Sequence, residues 1–359
     1  MNERMVGIFC EMVQISSESG DEAEFISYLQ GKLTRDFGAT CTLDSYGNLI
    51  AKIPAKNCSV ADPLLFAMHA DTVKPGRGIK PIVREGMVCS SGDTILGGDC
   101  KAGIAEFIEA VQTATKHPPL EVVVTREEEI GFGGARHLDY GLIQAKKGFL
   151  LDMDAMDAIV VGGPSHMLID VEIVGRAAHA GMEPEKGISA IKAAANAISI
   201  MNDGRVDHET TANVGIIEGG LIRNGVPEKV LIKAEVRSLN HQKCIQLSET
   251  VKDVYEVAAR AMGATATVNL TLAYKATKIS PDTAMVKLTQ TALNSVGIEP
   301  RIISITGGLE SALYNEKGIE TIPIGNGVQA EHSTDEHILV ADMEKVVKVL
   351  HYLFNHFCQ

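Results

Sequence analysis

The 359 residues are long for a single hydrophobic core and sufficient for two domains. Hydrophobic residues make up 45% and charged residues 22%, the balance of a globular protein, and no run is apolar enough to cross a bilayer, so no membrane partner is expected. The net charge of −13 argues against nucleic acid.

The start, Met1-Asn2-Glu3-Arg4, carries an early acid and does not read as a signal peptide. Met5, Ile8, Phe9, Met12 and Val13 share one helical face, as do Ile26, Leu29, Leu33 and Phe37, with Gly38 as a stop. A hairpin follows, turning at 44–48 between 41–43 and 49–53. Residues 64–68 (LLFAM) are wholly apolar, as a buried parallel strand would be. A helix through Ile104, Ile108 and Val111, a strand at 121–125 and another at 149–151 continue an α/β pattern with helices on both faces of a mainly parallel sheet. The pattern changes near Pro164. Strand 167–174, helix 188–201, strands near 213–217 and 230–236, helix 244–262 and strand 265–273 read βαββαβ, a ferredoxin-like unit. A helix near 285–296, a strand at 319–324 and a helix through Val346, Leu350 and Phe354 then resume the first pattern. The expected organisation is a catalytic α/β domain in two parts, 1–164 and 276–359, with a small domain inserted at 165–275.

The seven cysteines are odd in number and none forms a C-x-x-C pair. Neither a disulfide framework nor a zinc–cysteine site is expected, and a reducing cytoplasm is the simplest home.

The chemistry gathers where apolar strands end. Residues 64–68 run into His69-Ala70-Asp71, and 121–125 into Arg126-Glu127-Glu128-Glu129. Residues 149–151 run into Asp152, 319–324 lead on to His332, and Asp99 precedes the helix of Ile104. Ligands of an open parallel sheet bind at the carboxyl ends of its strands, so these side chains can converge. Taken singly each is ordinary: an H-x-D is chance more often than not, and three glutamates in a row are usually a solvated loop. Their joint occurrence, in order, is not ordinary.

The segments AMHADTV (67–73), TILGGDCKAG (94–103) and TREEEIG (125–131) resemble the signatures of the dinuclear zinc peptidases that include aminoacylase, glutamate carboxypeptidase and peptidase T. The runs PGRGIKP (75–81) and GDTILG (92–97) look most like the peptidase T branch. Carried over position by position, the resemblance implies that His69 and Asp152 hold one zinc ion and that Glu129 and His332 hold the other. Asp99 then bridges the two, Asp71 orients His69, and Glu128 is the general base. His179 becomes a lid histidine stabilising the oxyanion, often in the partner subunit's site. Asn224 and Arg237 become a substrate-binding pair, the guanidinium suiting a terminal carboxylate. Three carboxylates leave one positive charge on two zinc ions, which favours a bridging hydroxide as nucleophile.

Three positions depart from the pattern: Cys100 and Glu310 stand where Asp is commoner, and Glu127 replaces the more usual Asp. A cis peptide is expected at Asp99–Cys100, with Cys100 either a redox-sensitive thiol or a tolerated replacement. The activity implied is removal of the N-terminal residue of short peptides, tripeptides above all. The alternatives are an N-acyl-amino-acid deacylase, dipeptidase or carboxypeptidase on the same scaffold and, remotely, a non-catalytic metal- or peptide-binding protein. A homodimer through the inserted domain is expected, since pairing covers the exposed edge of a ferredoxin-like sheet.

Overall fold

The computed structural model describes residues 2–359. Helix α1 (Glu3–Gln14) buries Met5, Val6, Phe9, Met12 and Val13, and α2 (Ala23–Phe37) buries Phe25, Ile26, Leu29 and Leu33. Gly38 ends α2 at φ 64, a left-handed conformation that glycine adopts without steric cost. Strands β1 (Thr40–Leu43) and β2 (Leu49–Ile53) form the expected hairpin, and Asp44 Oδ1 closes its turn by accepting the N–H groups of Tyr46, Gly47 and Asn48. Strands β3 (Leu64–His69) and β4 (Leu120–Thr125) are buried along their whole length, with α3 (Gly98–Thr113) between them in sequence, and β5 (Lys147–Leu150) follows.

The chain divides into two compact units, crossing from one to the other after Val161 and returning at Ile279; residues 304–308 also belong to the second unit. The second unit contains β6 (Ser165–Val174), α4 (Ala190–Ile200), β7 (Gly204–Asp207), β8 (Thr210–Gly219), β9 (Lys229–Ser238), α5 (His241–Ala261) and β10 (Thr265–Tyr274). Its antiparallel sheet has the order β7-β8-β9-β6-β10, a ferredoxin-like arrangement with β7 added at one edge. Alternation explains the layering: Met167, Ile169, Val171 and Ile173 of β6 point to the same core as Val230, Ile232 and Val236 of β9. The alanines of α4 (Ala190, Ala193, Ala194, Ala197) and Tyr255 of α5 close that core from one side.

In the first unit the chain resumes with α6 (Ala284–Ser295), α7 (Ser311–Glu316), β11 (Glu320–Pro323) and α8 (Val340–Phe357). The main sheet has the order β1-β2-β4-β3-β5-β11, antiparallel in the first three strands and parallel from β4 to β11. One face packs on α1, α3 and α8, where Phe66 meets Phe107 at 5.1 Å and Phe354 at 5.7 Å. The other face is covered by the 138–145 segment and Tyr314. Truncating such a buried phenylalanine to alanine costs about 3–5 kcal/mol.

Several short elements escape the sequence reading. Pro81–Arg84, Met87–Ser90, Val328–Gln329 and His337–Leu339 make a separate small antiparallel sheet, too short for a periodic signal. Cys58 and Cys358 form a disulfide with Cα atoms 5.4 Å apart, contrary to the expectation of no disulfides. Sequence spacing could not reveal it, because 300 residues separate the partners and only the fold brings the end of α8 to the segment after β2. The other five cysteines are thiols.

Candidate metal centre

Four of the five proposed ligands stand at or just beyond the carboxyl ends of neighbouring buried strands or at the start of the helix between them. His69 is the last residue of β3, Glu129 lies four residues beyond β4, Asp152 two beyond β5, and Asp99 in the non-helical first turn of α3. His332 is reached differently: it occupies the tip of the short hairpin made by Val328–Gln329 and His337–Leu339, at a positive φ of 60. All five belong to the first unit.

Their donor atoms form two groups that share Asp99. His69 Nε2 lies 3.3 Å from Asp99 Oδ1 and 3.3 Å from Asp152 Oδ1. His332 Nε2 lies 3.4 Å from Asp99 Oδ2 and 3.0 Å from Glu129 Oε2. One Asp99 oxygen thus serves each imidazole. Two imidazoles and three carboxylates form the nitrogen and oxygen donor set that zinc accepts readily. Asp99 and Asp152 crowd against the buried His69, an arrangement whose repulsion a divalent cation relieves. The charges respond accordingly. Burial pushes Asp152 up to about 6 although His69 opposes it. The hydrogen bonds of Asp99 and Glu129 push His332 up to about 11. Against the penalty of burial, His332 and His69 hold Asp99 well below the usual carboxylate range.

Asp71 is the pivot behind the ligands. Its main-chain carbonyl lies 3.0 Å from His69 Nδ1, which directs Nε2 outward as the ligand nitrogen. Its carboxylate accepts the N–H of Glu128 at 2.9 Å, the N–H of Glu129 at 3.2 Å and the Ser19 hydroxyl at 2.7 Å. One residue therefore fixes a ligand on β3 through its carbonyl and the turn after β4 through its carboxylate. Glu128 gathers with His69 and Glu129 in a third possible ligand group. Burial raises its carboxyl well above the ordinary value, Asp152, Glu129 and Glu310 add to this, and His69 opposes it. A raised carboxyl suits a group that must take and return a proton near neutral pH.

Several supports were not read from the sequence. Glu336 is buried and accepts four consecutive main-chain N–H groups, Leu96, Gly97, Gly98 and Asp99, at 2.7–3.2 Å. Glu22 accepts the N–H of Glu127 and the guanidinium of Arg126, holding the glutamate turn from the other side. Lys101, fully buried, donates to the carbonyl of Ile15 and lies over the Phe25 ring at 4.4 Å. Glu310 accepts the Thr125 hydroxyl at 2.8 Å and is pushed up to about 8 by burial. Tyr46 donates to Glu127 at 2.5 Å. The Asp99–Cys100 peptide is cis. Cys100 is buried and its thiol donates to the Leu151 carbonyl at 2.8 Å, the contact of a packed side chain rather than of an accessible sensor.

His179, Asn224 and Arg237 belong to the second unit. His179 is exposed, and its Nδ1 accepts the N–H groups of Gly181 at 3.2 Å and Met182 at 3.1 Å. The neutral ring must then carry its proton on Nε2, the form a hydrogen-bond donor to an oxyanion needs. An isolated bridge pairs His179 with Gly225, and Asn224 accepts the N–H of Ala180 through its carbonyl, so the two proposed substrate residues are neighbours. Arg237 is forked on Glu235, with Nε at 3.0 Å and Nη2 at 3.1 Å, and His166 Nε2 meets the same carboxylate at 2.8 Å.

A family model described as peptidase family M20/M25/M40 matches residues 65–356. An aminopeptidase PepT structure from Bacillus cereus ATCC 10987 is 37% identical and superposes with a TM-score of 0.86, covering 99% of both chains. A tripeptidase structure from Staphylococcus aureus is 32% identical with a TM-score of 0.90, covering 99% of this chain and 98% of that one. The Bacillus subtilis protein YqjE is 36% identical over 97% of this chain and 96% of its own length. With most of its length matched by the family model and whole-chain relatives above 30% identity, the chain belongs to peptidase family M20/M25/M40.

Proposed function

We propose that the chain is a two-zinc aminopeptidase that removes the N-terminal residue of short peptides, tripeptides first. Its enzyme class, a metallopeptidase, follows from the family. The observation that carries the finer reading is the sharing of Asp99 between His69 with Asp152 and His332 with Glu129. In this reading His69, Asp152, Glu129 and His332 hold two zinc ions and Asp99 bridges them. Zinc, when bound, lowers the pKa of water and polarises a carbonyl.

Glu128 takes the proton of the attacking water and passes it to the leaving amine. Asp71 keeps Glu128 and Glu129 in register by holding their N–H groups. His179, with its proton on Nε2, donates to the developing oxyanion. Arg237, oriented by Glu235, keeps Nη1 outside that fork for a substrate carboxylate, and Asn224 lies beside His179. The tripeptide preference rests on the likeness to the PepT and tripeptidase structures.

The reading includes a homodimer through the second unit. β7 pairs with β8 only at Thr210–Ala212, and Ile216 and Ile217 are exposed on the stretch beyond. An open edge of this kind is covered by a second copy at little structural cost. It also includes a cytoplasmic site of action, supported by the five cysteines that stay reduced, with the Cys58–Cys358 bridge as the feature that an oxidising compartment would favour instead.

The test is a digest of free tripeptides beside their N-acetylated forms, read by mass spectrometry with and without added zinc, cobalt or manganese. The reading requires metal-dependent loss of the N-terminal residue from the free forms only. Cleavage confined to acetylated substrates would make the enzyme a deacylase, and release of the C-terminal residue a carboxypeptidase.

A further inference from the structure

The second unit contains a cavity of about 860 Å³ lined mainly by apolar surface from Ala178, Leu221, Ile222, Val226 and Leu231. Its volume falls within the range of small-molecule sites, which are mostly apolar with a few placed polar groups. The polar groups here include His179 and Asn224, which lie in the same wall. The apolar side chains are not held inward by packing: Leu221 is 100% exposed and Ile222 67%. Their loop leaves β8 at a glycine packed closely against β9. A Cβ on Gly219 would stand 2.5 Å from Val230 Cγ2, and Gly220 has a φ of +79. A Cβ on Gly225, the bridge partner of His179, would stand 3.0 Å from Ile222 Cγ1, so Ile222 lies against the residue that pairs with His179. A side chain is therefore blocked at Gly219 and strained at Gly220, and the loop presents two large aliphatic groups beside the two proposed substrate residues.

We propose that this cavity is a subsite for an apolar side chain of the peptide substrate, with Ile222 and Leu221 as its selectivity residues. The inference rests on the reading of His179 and Asn224 as substrate-facing groups. A largely solvent-facing aliphatic pair gains by covering an apolar ligand group, and the neighbouring imidazole and amide, with Glu218, Glu228 and Lys229 also in the lining, suit a ligand with polar main-chain atoms close to its side chain. A short peptide has both.

The test compares kcat/KM for Ala-Ala-Ala with Leu-Ala-Ala, Ala-Leu-Ala and Ala-Ala-Leu, using wild type, Ile222→Asp and Leu221→Asp. Both substituted positions are exposed, so folding is not at stake. The expected result is a preference for Leu over Ala of about tenfold or more at one position in the wild type, falling towards unity at that position alone in the variants. A wild-type preference left unchanged in both variants, with peptides still cleaved, would overturn the subsite and leave the peptidase reading intact. Failure of the wild type to cleave any of the four peptides would bring down that reading and the subsite with it. A uniform loss across all four peptides, accompanied by dissociation in sedimentation, would mean that a second copy of the chain covers the loop, and would overturn the proposal.

Discussion

Glu336 holds Asp99 by the main chain, its Oε1 accepting the Asp99 N–H at 3.2 Å while its two oxygens together also take the N–H groups of Leu96, Gly97 and Gly98. Asp99 is the residue on which both ligand groups depend, so the loop that aims it must not drift. Glu336→Gln offers one acceptor oxygen where two serve four donors. Losing such a support typically costs about 10–100-fold in metal affinity. Competition against a chelating dye should show that loss for zinc. An unchanged affinity would mean that the loop is fixed by other contacts.

Glu128 is assigned the proton transfer, and Glu128→Gln keeps its shape while removing the basic oxygen. Turnover should fall by about 10²–10⁴-fold with zinc content unaltered. A metal-replete Glu128→Gln enzyme of near-normal activity would move the base to another group.

Metal affinity should depend on pH in a stated direction. In the metal-free protein His332 is raised from 6.5 to about 11 by Asp99 and Glu129. Its pairing therefore stabilises the metal-free fold fully below pH 6.5, and that contribution is lost as the pH rises towards 11. A metal ion takes the same Nε2, so binding must release its proton, and affinity should climb with pH across the neutral range. Calorimetry of zinc binding in buffers of different ionisation enthalpy reads the proton directly. No proton release near pH 7 would show that His332 is not displaced by the metal.

Mixing His179→Ala with Glu128→Gln subunits tests whether the second unit serves a neighbouring site. If His179 acts across a dimer, mixed dimers regain one intact site and activity returns. If it acts within its own chain, no mixed dimer has a whole site and activity stays at background. Full activity of wild-type protein that sediments as a monomer would remove the cross-subunit arrangement.

Much of the centre was legible because three of the five ligands follow an apolar strand whose composition announces burial: LLFAM before His69, EVVVT before Glu129, FLL before Asp152. A parallel sheet sends its strand ends to one side, which turns distant positions in sequence into neighbours. His332 was reached from the strand at 319–324 and given its role by resemblance, but its hairpin was not read, since Val328–Gln329 and His337–Leu339 are too short to show a period. Glu336 was invisible as a structural residue. An acid among Asp335, His337 and Glu331 reads as surface, and only the fold shows that it faces four main-chain donors. The glutamate run hid a similar division of labour: Glu127 binds Tyr46, whereas Glu128 and Glu129 hang from Asp71. The Cys58–Cys358 bridge had no local signature at all.

The most direct measurement is anomalous scattering at the zinc absorption edge from crystals grown with zinc near neutral pH. Two peaks about 3.5–4 Å apart are expected, the spacing of two-metal sites. One should lie beside His69 and Asp152, the other beside Glu129 and His332, each taking one oxygen of Asp99. A single peak at full zinc occupancy, or Glu129 or His332 turned away from both ions, would contradict the two-metal centre.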